Sequence, residues 1–215
     1  MIHLIGIEHK VQYMNSNWGV AQTTKDNWTH YSSIIEQSIR EIQPSVVAEE
    51  LNEKWLQGLN GAKSILKSAK EEHEAQTGTK IQHIFEEPDE SIKDAKGYKE
   101  RETIRAILKA RIQNDPPPEE VMAHVIAHQA QIREECWADA IKDYSDNEIL
   151  FVCGDIHLYT FRRLLAKQSI NSRIVAQGIG VNCSCLADYQ GLNYALTNDM
   201  FEFESCFCLG KPIAL

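Results

Sequence analysis

A chain of 215 residues has room for one sizeable core, and its 43 % apolar and 25 % charged residues are ordinary for a globular domain. No run approaches the roughly eighteen uncharged apolar residues of a membrane-spanning helix, so a membrane partner is not expected. The formal net charge of −9 disfavours nucleic acid, whose binding rests on Lys and Arg neutralising phosphates, and leaves only local basic pairs such as Arg162-Arg163.

Ile2-His3-Leu4-Ile5-Gly6 is short, apolar and β-branched, and it breaks into Glu8-His9, which predicts a buried strand running into a loop. The opening has neither a basic segment nor a small-residue cleavage site, so an export signal is not expected and the cytoplasm is the expected compartment. From Asp26 to Ile42, apolar residues at Trp28, Tyr31, Ile34, Ile35 and Ile39 have helical spacing, and Pro44 stops the helix. Ser45-Val46-Val47-Ala48 predicts a second buried strand that runs directly into Glu49-Glu50.

Residues 51–70 read as one helix, with an apolar stripe through Leu51, Trp55, Leu56, Leu59, Ile65 and Leu66 interrupted by Gly58 and Gly61. Thr79 to Phe85 predicts a third strand, followed by Glu86, Glu87 and Asp89. The charged stretch 90–114 carries helical spacing at Ile104, Ile107, Leu108 and Ile112 and is expected to be a lid or helical insertion. Asp115-Pro116-Pro117-Pro118-Glu119-Glu120 restarts the chain as a long helix that ends at Ser145-Asp146-Asn147. Glu148 to Cys153 is the clearest buried strand, and Gly154-Asp155-Ile156-His157 turns it into a helix over Leu158 to Lys167. Ser172 to Ala176 predicts a last strand, and the residues from Val181 onward show no regular pattern.

Strands alternating with helices predict a single α/β domain with a mainly parallel sheet and helices on both faces. In an open parallel sheet, ligands bind outside the carboxyl ends of the strands. The residues that follow the predicted strands are Glu8-His9, Glu49-Glu50, Glu86-Glu87-Asp89 and Asp155-His157, so carboxylates and imidazoles from separate segments are expected to converge on one edge. Such a set suits a divalent cation that acidifies bound water, or a His oriented by a carboxylate and acting as general base. Taken singly, Glu49 or Asp155 reads equally well as a helix cap or a solvated loop residue. His9 and His157 stand out because each occupies the same Gly-x-x-His frame after an apolar strand.

Three blocks, Ile2 through His9, Pro44 through Leu51 and Ile149 through His157, resemble the recurring blocks of the TraB/TIKI group, to which ChaN-like proteins and erythromycin esterases are distantly similar. The resemblance implies a site built on His9, Glu50 and His157, with Glu8 and Asp155 in support. It implies metal-dependent proteolysis in one branch and His-based ester hydrolysis in the other. Arg133-Glu134 resembles an Arg-acid pair that precedes the late strand in such proteins. The first block carries Ile7-Glu8 where a Thr and a small residue are commoner, and residues 52–115 match none of the blocks.

The expectation is a hydrolase in which His9 and His157 bind a divalent ion (Mn, Co or Zn) or act as base. Glu50 would serve as ligand or proton acceptor, and Glu49, Glu87 and Arg133 would face a small-molecule, peptide or ester substrate. The competing expectation is a non-catalytic binding module whose acidic edge recognises a small ligand or a protein. A homo-oligomer is compatible with either. Cys183, Cys185, Cys206 and Cys208 form two C-x-C pairs that read as buried thiols or as a tetrahedral zinc site. His124 and His128, four apart on a helix, lack the Glu of a metalloprotease motif and read as a solvated face.

Overall fold

The computed structural model describes residues 1–7, 11–14, 22–59, 62–99, 103, 131–154 and 157–177. Within them a five-stranded sheet runs in the order β5-β3-β6-β1-β7, formed by β1 (Ile2–Ile7), β3 (Val46–Glu49), β5 (Gln82–Phe85), β6 (Ile149–Gly154) and β7 (Ser172–Gln177). All four pairings in this sheet are parallel. The α/β class expected from the sequence is therefore what the chain adopts.

Buried parallel strands must be apolar on both faces, and β1 and β6 are buried at every position. One face packs Ile2, Leu4, Val46, Ala48, Phe151 and Cys153 against α5, described over 131–141, and α6 (Leu158–Lys167). The other packs Ile5, Ile7, Val47, Leu150 and Val152 against α1 (Gln22–Ile42) and α3 (Ile65–Thr77). Trp137 of α5, Phe151 of β6 and Phe161 of α6 meet with ring centroids 4.9 to 5.7 Å apart and fasten both helices to the sheet. Burying each such ring stabilises the fold by about 2–3 kcal/mol.

One expected element is divided. The helix expected over 51–70 is instead α2 (Glu53–Gly58), then β4 (Lys63–Ser64), then α3. Ser64 makes the break: its Oγ accepts the backbone N–H of Lys67 at 3.0 Å and caps α3, while β4 pairs antiparallel with β2 (Tyr13–Met14). An apolar stripe carried across this cap is two helical starts. The α3 helix ends at Gly78, whose left-handed φ of 74° lets its N–H close on Glu74 O at 2.8 Å.

Of the charged 90–114 stretch, α4 (Glu90–Ala95) is helical, and most of the remainder lies outside the described residues. The long helix expected from Glu119 is seen over 131–141 and ends in a 3-10 turn, Lys142–Tyr144. No described helix is long and apolar enough to cross a membrane.

Candidate active site

Strand alternation decides which side chains reach the carboxyl edge on each face. On β3, Val46 and Ala48 face α5 and α6, and Glu50, next in that parity, continues the same face just past the strand. Its Oε2 accepts the backbone N–H of Gly154 at 2.7 Å, which ties the ends of β3 and β6 together. Three residues beyond Gly154, His157 stands at the first turn of α6, buried against the edge of Trp137 with ring centroids 4.8 Å apart.

The α5 helix carries the groups that complete the cluster. Glu134 Oε1 lies 2.9 Å from His157 Nδ1 and also accepts Thr160 Oγ1–H at 2.6 Å. A carboxylate can only accept, so Nδ1 carries the proton and the Nε2 lone pair is left facing Arg133 Nη1–H at 3.3 Å. Glu50 Oε1 stands 3.5 Å from the same Nε2, beyond hydrogen-bond distance.

Arg133 is the hub. Its Nη2 donates to Glu50 Oε1, while Nε and Nη2 fork onto the Glu87 carboxylate at 2.8 to 3.1 Å. The guanidinium also lies over the Trp137 ring, 5.1 Å from its centroid. Burial alone would loosen the Arg133 proton, but the carboxylates of Glu50 and Glu87 more than offset this and hold it above its ordinary range. Glu87 further accepts Trp137 Nε1–H at 3.3 Å and Lys93 Nζ at 3.0 Å. Lys93 behaves as Arg133 does, with burial lowering its affinity for the proton and Glu90 and Glu87 restoring it.

Of these groups, Glu50, Glu87, Lys93 and Arg133 border a cleft of about 560 Å³, whose walls also include Gln12, Leu51, Asn52 and Pro88, and His157 lies buried behind Arg133. A volume of that size holds a small molecule or a short peptide segment.

The structure thus brings together Glu50, His157, Glu87 and Arg133 from four parts of the chain. Glu49 points the other way: it accepts Ser64 Oγ–H at 2.6 Å and pairs with His83 Nε2 at 2.7 Å, on the α3 side of the sheet. Glu8, His9 and Asp155 lie outside the described residues, as do His124, His128 and the cysteines of both C-x-C pairs. Trp137, Lys93 and Gln12 were not singled out from the sequence as site residues. Trp137 falls one helical turn after Arg133-Glu134 and was legible on that ground, while Lys93 and Gln12 carried no signal.

Comparison with family models, with curated proteins and with solved structures gave no match.

Proposed function

We propose that the chain is a hydrolase whose active site is the cleft at the carboxyl edge, with a peptide or an ester as substrate and His157 as its general base. The observation that carries this reading is the Glu134–His157 pair. The carboxylate fixes the ring with Nδ1–H inward, so the basic Nε2 is directed to the side where Glu50 and Arg133 stand. His157 Nε2 would take a proton from water as the oxygen attacks the substrate carbonyl, and Glu50 Oε1 lies close enough to stabilise the resulting imidazolium. Arg133 would offset the negative charge that develops on the carbonyl oxygen before the proton returns to the leaving group. His9, Glu8 and Asp155 join this reading through the TraB/TIKI resemblance, which also supports the hydrolase class.

The same resemblance implies a divalent metal on His9, Glu50 and His157. Among the described residues no group of three or more His, Cys, Asp or Glu is spaced to hold one, and Arg133 fills the space between Glu50 and His157. The described residues alone do not fit a metal. Metal analysis of the purified protein, with and without His9→Ala, tests whether that set closes through His9.

The deciding experiment is an ester and peptide panel assayed with the wild type and His157→Gln. The expected result is turnover of at least one member and a loss of about 10²- to 10⁴-fold in kcat/KM in the variant, with the fold retained. A wild type that hydrolyses nothing, or a variant that keeps its rate, overturns the proposal. One observation favours a non-catalytic binding module instead. Arg133 already contacts Glu50, Glu87 and His157 together, so these groups have partners before any ligand arrives.

A further inference from the structure

Gln12 stands apart from the network just described. Its side chain is buried, it borders the cleft, and its Nε2 has no hydrogen-bond partner. It is the only such buried side-chain atom among the described residues. Its backbone is occupied, with the carbonyl accepting Ile65 N–H at 3.0 Å, and β2 and β4 hold the segment in place. A sealed amide N–H without an acceptor is unfavourable, and an isosteric apolar side chain would avoid that cost.

The charges around the cleft say which acceptor fits. The carboxylates of Glu50, Glu87, Asp89 and Glu90 outnumber the cations of Lys93 and Arg133. Both cations are engaged, Arg133 by Glu50 and Glu87, Lys93 by Glu87 and Glu90. The Asp89 side chain is half-exposed, and its carboxylate contacts among the described residues are long, 3.4 Å to Asn52 Nδ2 and 3.5 Å to Lys54 Nζ. Among the described residues, a ligand carboxylate or phosphate would meet this acidic wall without a free cation to receive it. A carbonyl oxygen satisfies an amide N–H at no charge, and a positive group beside it gains from Asp89.

We infer that Gln12 is the specificity-determining residue of the cleft, donating its amide N–H to a carbonyl of a small cationic ligand while the acidic wall turns anions away. The inference rests on the proposed site and names the chemical class that site would take.

The test uses three probes of equal carbonyl content and different charge: alanyl-alaninamide (cationic), N-acetylalanine methylamide (neutral) and N-acetylalanine (anionic). Binding is followed by NMR through the side-chain amide signals of Gln12, assigned by their loss in Gln12→Leu. The expected result is affinity falling by about threefold or more at each step from cation to anion, with a downfield shift of a Gln12 amide proton on binding. Gln12→Leu should then weaken the cationic probe by about tenfold while keeping or raising the melting temperature, because it removes an unsatisfied donor. Equal binding of the anion, an unmoved Gln12 signal, no binding of any probe, or a Leu variant that binds as well as wild type overturns the inference. Repeating the titration in His157→Gln separates the two claims, since the charge ranking should persist there whether or not the protein hydrolyses anything.

Discussion

Glu49 and Glu50 are the same residue side by side, both almost fully buried, yet they do different things. Glu50 faces α5 and joins Arg133 and the Gly154 N–H at the wall of an open cleft. Glu49, one position earlier and so on the opposite face, is closed in by Ser64 and His83, and the His83 ring is covered by Phe85 at 4.4 Å between centroids. Glu49 holds the start of α3 to the sheet, because the Ser64 hydroxyl that donates to it also caps that helix. The pair teaches that convergence on a sheet edge does not make one site: the pleat sorts consecutive acids to two faces, and helix placement decides which face stays open.

The comparison is broken most severely through Arg133. Arg133→Ala removes the guanidinium that pairs with both Glu50 and Glu87 and should cost about 3–5 kcal/mol in urea unfolding. A near-neutral effect would mean that the cleft cluster is solvated and weakly coupled. On the other face, Glu49→Ala strips the acceptor from Ser64 and His83 and should cost about 2–3 kcal/mol while leaving probe binding in the cleft unchanged. Loss of cleft binding in that variant would join the two acids functionally.

Glu86, just after β5, sharpens the contrast because it is buried with no charged partner among the described residues, and burial pushes its carboxyl up to about 7. The folded state therefore holds this proton more tightly than the unfolded chain, whose value is 4.5, and the stability it supports falls as pH rises from about 4.5 to 7. Glu86→Gln should leave stability unchanged at pH 4 and raise it by about 2 kcal/mol at pH 8, read from urea midpoints across that range. A difference independent of pH would show that Glu86 ionises freely. The smallest effect is expected at the cap, where Ser64→Ala should cost about 1 kcal/mol. A cost above that of Glu49→Ala would place the weight of this cluster on Ser64.

Much of this architecture was legible in advance because buried parallel strands write themselves as near-continuous apolar runs, as in Ile2–Ile7 and Ile149–Gly154. The α6 helix was expected over the residues it occupies, since its strand ends in a glycine turn and its own apolar spacing is unbroken. Of the expected site, Glu50, Glu87, Arg133 and His157 converge because each follows a strand or sits on the helix that crosses the strand ends. What was not legible has local causes. The β2–β4 pairing is too short to show alternation, and the Ser64 cap lay inside an apolar stripe that reads as one helix. The orphaned amide of Gln12 is a property of packing that no spacing announces.

The strand order carries one more consequence. The opening strand β1 lies between β6 and β7, so both of its neighbours are supplied by segments about one hundred and fifty positions downstream. As the chain leaves the ribosome, Ile2–Ile7 must therefore wait, apolar except for His3 and without a ladder on either side, until the second half has been made. A nascent chain stalled before residue 149 should expose that segment to chaperones and proteases, whereas one released past residue 177 can close the sheet around it.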